Sequence, residues 1–216
     1  PNSMREVVSG VPVNQTLLLS RSSTATPYRY EQPARAQNTW FTNRTTASGL
    51  LFAHNEEDYV DFHQQRQQPF KYSSEGPVLA VADVDADGLE DVVVGGSAPY
   101  PAMVFRQQKN GRFQPAVIGG GTPQAADDGA LCLFDADGDG YPDLYVGRGG
   151  NQHPKGHIAY RDVLYRNDGK GNFIADTTAL PPLFANTSVV KAADVDGDGD
   201  LDVFVGARMI PGEYPR

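Results

Sequence analysis

Three short acidic segments hold the residues whose types and spacing could do chemistry. In the first, Asp83, Asp85 and Asp87 alternate with other residues, Gly88 follows, and Asp91 closes the pattern. The second repeats it with Asp135, Asp137, Asp139, Gly140 and Asp143, and the third with Asp194, Asp196, Asp198, Gly199 and Asp202. Carboxylates at positions 1, 3, 5 and 9 of one tight loop repel one another unless a hard cation sits among them. Calcium, which takes about six to eight oxygen ligands in a flexible shell, suits such a donor set. Glycine at position 6 makes the sharp turn at little steric cost. Position 7 (Leu89, Tyr141 or Asp200) is expected to offer its backbone carbonyl, so its side chain is free to vary. The expected ligands of three Ca2+ ions are thus Asp83, Asp85, Asp87, Leu89 and Asp91; Asp135, Asp137, Asp139, Tyr141 and Asp143; and Asp194, Asp196, Asp198, Asp200 and Asp202. Asp and Gly also populate ordinary turns for conformational reasons. The same five positions filled three times favour the metal. With about six oxygens supplied per loop the shell is nearly closed, which suits a structural ion.

Strands must position these loops. An EF-hand starts the same way but needs a bidentate Glu at position 12 and flanking helices. Position 12 here is Val94, Val146 or Val205. Each loop is preceded by an apolar run (78–82, 130–134, 189–193) and followed by a β-branched or aromatic run closed by Gly95, Gly147 or Gly206, which reads as strand, loop, strand. The loops begin at 83, 135 and 194, a repeat of 52 and then 59 residues. Periods of this length belong to propellers and solenoids. Residues 104–113 and 164–173 share an aromatic at their second position, Arg106 or Arg166 at the third, and a closing Gly-x-Phe, and each reads as a hairpin. The unit therefore has about four strands, as a propeller blade does. The extra length of the second unit falls in an exposed loop at 149–157. Neighbouring repeats couple only through contacts, so each loop is expected to load its ion independently.

Loop and hairpin together resemble FG-GAP/VCBS repeats, the blades of integrin α-like β-propellers, over roughly residues 76–216. The resemblance implies an all-β fold, a partial β-propeller of four-stranded antiparallel blades, and calcium at the fifteen positions named above. Residues 9–19 are similar to the end of an ASPIC/UnbV domain. The domains expected are 1–21 as the end of a preceding β domain, 22–37 as a linker rich in Ser, Thr, Ala, Pro and Arg, and 38–216 as an incomplete propeller segment. By the repeat spacing the third blade lacks its hairpin, so the chain reads as an excerpt. Uncovered blade edges would be closed by the N-terminal segment, a neighbouring molecule or further sequence.

The net charge is −9, and the twelve expected carboxylate ligands are a large share of the 27 acidic side chains. Three divalent ions would bring the total to about −3, so the acidity reflects metal sites more than an anionic partner surface. No basic cluster offsets phosphate repulsion, which argues against nucleic acid. No apolar run reaches membrane-spanning length. Cys132 is the single cysteine and reads as a small core residue. Calcium sites of this kind load at the concentrations found outside cells, which favours an extracellular, cell-surface or periplasmic setting.

Residues 40–41 and 50–52 read as strands, and 54–62 as a solvated acidic edge supplying outer strands of a preceding blade, although a fourth metal site or a glycan-facing patch is the other reading. His153 and His157 are separated by Pro154 and Gly156 and read as loop residues, not as a zinc pair. Asn14, Asn43 and Asn186 begin glycosylation sequons. The function these features favour is a non-catalytic, calcium-stabilised propeller segment for adhesion or for binding an extracellular glycan or protein. The alternative is part of a calcium-dependent polysaccharide lyase or hydrolase, which would need an acid/base pair outside the loops.

Overall fold

The computed structural model describes residues 41–63, 65–74 and 76–213, together with Leu18 and two short strands, β1 (Met4–Arg5) and β2 (Thr26–Pro27). By internal contacts the chain divides into two units, Pro1–Asn43 and Arg44–Arg216. In the first, β1 pairs antiparallel with β2. Most of 1–21 and 22–37, the ASPIC/UnbV-like stretch included, lies outside the described residues, as does Trp40.

The second unit is nearly all β. One four-stranded sheet has the order β3 (Leu79–Ala82), β4 (Asp91–Val94), β5 (Met103–Gln107), β6 (Phe113–Val117). The next runs β7 (Asp127–Phe134), β8 (Asp143–Gly149), β9 (Val163–Asn167), β10 (Phe173–Asp176). A two-stranded sheet follows, β11 (Asn186–Ala193) with β12 (Asp202–Met209). Every pairing is antiparallel between sequence neighbours. The two expected hairpins close where the sequence repeat places them, Gln107 opposite Phe113 and Asn167 opposite Phe173.

The sheets stack face to face, and the period of two along each strand decides which neighbour a side chain meets. Val93 and Val104 of the first sheet share a buried cluster with Leu144 and Val146 of the second. Tyr145, between those two, points the other way and joins Leu164, Ala130 and Val190 of the third sheet in a separate cluster. A strand covered on both faces has no polar side, which explains the unbroken apolar run after Asp143. Cys132 is partly buried and packs against the second cluster, as a small core residue should.

The glycines after these runs do not end every strand. β8 continues through Gly147 to Gly149, and β12 through Gly206 to Met209. What Gly147 provides is room: a Cβ there would collide with Thr187 of the next sheet.

Residues 50–60 form no strand, contrary to expectation; a four-residue helix, α1 (Thr45–Ser48), precedes them. Phe52 packs edge-on against Phe105 with ring centroids 6.2 Å apart. Nor is the acidic stretch wholly a solvated edge. Asp61 is fully buried, and its Oδ2 accepts hydrogen bonds from the N–H groups of Tyr72 (2.5 Å) and Ser73 (3.1 Å). A carboxylate here organises the chain that a strand ladder would otherwise hold. His153 and His157 lie in a loop as expected, their rings stacked 4.2 Å apart.

Candidate metal centres

All three acidic loops occupy the same place, joining the first strand of a sheet to its second: β3 to β4, β7 to β8, β11 to β12. Their internal bonding repeats residue for residue. The position-1 carboxylate turns back over the loop and accepts from the N–H of Gly88 (2.9 Å), Gly140 (2.9 Å) or Gly199 (3.1 Å). The position-5 carboxylate accepts from the N–H of position 7, at 2.9 Å in Leu89, Tyr141 and Asp200. These bonds fix the carboxylates from behind while the loop curls around them. For Asp135 the N–H donors, led by that of Gly140, hold the carboxyl below its usual value, so its anion is favoured.

Two residues per loop adopt left-handed backbone. Position 6 has φ of 86°, 90° and 96° in Gly88, Gly140 and Gly199, as the sequence required. Position 4 is left-handed as well: Gly138 at 78°, Gly197 at 79° and, in the first loop, Ala86 at 58°. The glycines at 138 and 197 carried that signal, which Ala86 concealed.

The ninth-position aspartates do more than face a cation. Asp91 is fully buried; its Oδ2 accepts from Val84 N (3.0 Å) and its Oδ1 from Gln107 N (2.6 Å) at the end of β5. Asp143 does the same with Ala136 N (3.2 Å) and Asn167 N (2.8 Å) at the end of β9. Asp202 accepts from Val195 N (3.0 Å). Each is thus a staple between the loop base and its sheet. Burial pushes the Asp91 carboxyl up, the two backbone donors pull it down, and the charges of Asp85 and Asp83 push it up again.

The structure gathers three carboxylates in each loop, one oxygen from each lying within 4.8 Å of the others: Asp83, Asp85 and Asp91; Asp135, Asp137 and Asp139; Asp194, Asp196 and Asp202. In the first and third loops the oxygens come from opposite ends of the loop, and in the middle loop from its first half. In the first loop Asp85 Oδ1 is buried and has no hydrogen-bond partner among the described residues. An orphaned buried carboxylate oxygen beside two others fits a hard cation. The donor set of the first loop therefore fits a hard cation such as calcium.

The middle trio differs in taking Asp139 instead of Asp143, and here an arginine from the hairpin engages the loop's carboxylates. Arg166 donates through a terminal nitrogen to Asp143 Oδ2 at 2.9 Å and lies 3.4 Å from Asp137 Oδ2 and 3.6 Å from Asp176. Its counterpart Arg106 instead donates to Lys170 O across the blade boundary (2.8 Å). Among the described residues, loop two is the one that shares its carboxylates with a built-in cation.

Asn167 was missed altogether. Its side-chain amide donates to Val84 O in the first loop (2.8 Å) and to Pro142 O in the second (3.1 Å). The first two loops are bridged by one buried side chain, a link that repeat spacing does not reveal.

A family model for the FG-GAP-like repeat matches residues 83–146 and 154–205, a span that contains all three loops. Phosphatidylinositol-glycan-specific phospholipase D of Homo sapiens is 27% identical over 169 residues, 66% of this chain and 20% of that protein. The Rattus norvegicus protein of the same name is 28% identical over 164 residues, 65% of this chain and 19% of its own. The chain thus spans about one fifth of the length of these curated relatives.

Proposed function

This chain belongs to the FG-GAP-like repeat family, and we propose that it is a calcium-binding, non-catalytic propeller segment of a secreted or cell-surface protein, serving adhesion or the binding of a glycan or protein. One observation carries the reading. Three loops at one end of three stacked sheets each converge a carboxylate trio on a point, with the carboxylates braced by the loop's own N–H groups. Calcium filling those points relieves the repulsion and ties strand to strand.

Among the described residues no helix is long and apolar enough to cross a membrane. The extracellular setting rests on calcium supply. The relatives named above are phospholipases by name, but the stretch matched is about one fifth of each. In our reading this stretch supplies the repeat scaffold and not the reacting groups. Among the described residues each buried carboxylate outside the loops accepts hydrogen bonds: Asp61 through Oδ2 from the Tyr72 and Ser73 N–H groups, Asp127 from the Ala98 N–H and Gln152, Asp128 from Arg148, and Asp162 from Tyr145, Thr187 and the Arg148 N–H.

Chelation tests the metal. Removing calcium leaves four Asp side chains crowded in each loop, so the melting temperature is expected to fall on adding EDTA and to recover with calcium, since binding to the folded state adds directly to its stability. A thermal scan with no shift would sink the structural-metal reading.

A further inference from the structure

At the end of the sheets away from the acidic loops, the connection from β6 to β7 folds over the seam between the first two blades and roofs a cavity of about 170 Å³. It lies beside Asp128 at the start of β7 and Arg148 near the end of β8, whereas the acidic loop joins the other ends of those strands. Its polar wall comes from the second blade and the connection leading into it. Arg148 is paired with the fully buried Asp128, donates to Gln124 Oε1 (3.1 Å), and reaches the Tyr165 hydroxyl (3.4 Å). Gln124 Nε2 is buried, and its side chain also faces the Asp128 carboxyl without forming a well-aligned hydrogen bond to it. Ile118 and Val146 add apolar side chains to the lining.

We propose that this cavity is a subsite for a single ring of a neutral sugar. Asp128 already neutralises the guanidinium, so a free anion gains little there, while the wall offers N–H donors and hydroxyls able to accept or donate. Apolar side chains beside such groups suit a ring with a C–H face and a hydroxyl edge. The volume is below the roughly 300 Å³ at which pockets for drug-sized ligands begin, so one ring fills it. Gly119 lines the cavity beside the Tyr165 ring with a left-handed backbone, φ 70°. This deepens the ligand-binding reading above and rests on it for the choice of a glycan.

Thr122 lines the mouth and is exposed, so Thr122→Trp fills the entrance without entering the core. The probes are the methyl glycosides of glucose, galactose and mannose, with acetate and inorganic phosphate as anions, measured by saturation-transfer NMR and calorimetry with calcium in excess. A methyl glycoside is expected to bind in the millimolar range, and Thr122→Trp to weaken it by about tenfold or more at unchanged melting temperature. No binding by any glycoside, equal binding by the variant, or preference for acetate or phosphate would each overturn the assignment. Because calcium is saturating throughout, failure here leaves the chelation result standing, and failure of that result leaves this one readable.

Discussion

Replacing Arg166 with Gln should tighten cation binding at the middle loop and nowhere else. Arg166 lies 2.9 Å from one oxygen of Asp143 and 3.4 Å from one of Asp137, and its side chain is about one-third exposed. A calcium ion bound to the Asp137 carboxylate at a usual Ca–O distance would stand at most about 6 Å from the guanidinium nitrogen. At that distance, a double and a single positive charge repel by about 1–1.5 kcal/mol at the dielectric constant of water, and more where protein displaces water. Salt with a Debye length of about 8 Å removes roughly half of the aqueous value. The net expectation is about 1 kcal/mol, a gain of roughly fivefold in affinity that grows as salt is lowered. Loss of the Arg166–Asp143 bond works against this gain, though Asp143 keeps its two backbone donors, Ala136 and Asn167. Of the three position-7 residues only Tyr141 is aromatic, so terbium luminescence excited through tyrosine, read against an Asp137→Ala control that removes this loop's share, follows the middle loop, and calcium displaces the terbium. An Arg166→Gln protein whose middle loop binds calcium no more tightly at low salt, with the other two loops unchanged, would refute the electrostatic account.

Two other substitutions probe the loops. Ala86→Gly should stabilise the protein by about 0.5–1 kcal/mol, because a left-handed L-residue costs more than the added chain entropy of glycine. In a domain of this size that is a rise of about 2 °C in melting temperature, measurable by calorimetry, and a fall would contradict the assignment of strain to position 4. Asn167→Ala leaves Val84 O and Pro142 O without their side-chain donor and should cost about 1–3 kcal/mol. It is expected to weaken cation binding in the first and second loops together while sparing the third, and a calorimetric titration in which only one step changes would show that the two loops load independently after all.

Much of the fold could be read from the chain because the repeat is written in residues with strict conformational demands. Glycines at position 6, paired Gly-x-Phe closures and short unbroken apolar runs each restrict the backbone locally, and together they place the strands and hairpins of two sheets. The segment at 50–73 was read less well. Leu50–Phe52 has the composition of a strand, but nothing in it reveals that Asp61 caps the N–H groups of Tyr72 and Ser73 in its place. Composition also makes Asp61 look solvated, since only the packing around a carboxylate decides whether water reaches it.

The sequence by itself determined the number of loops, their chelating pattern and the strand that enters and leaves each one, because these depend on neighbours within a few residues. Tertiary structure alone decided how the loops differ. Arg166 lies 23 residues beyond Asp143, and Asn167 lies 83 beyond Val84, yet both meet their partners because sheets stack and hairpins reach across the seam. The three donor sets are alike in the chain and unlike in the fold, since charge and hydrogen bonding act through space.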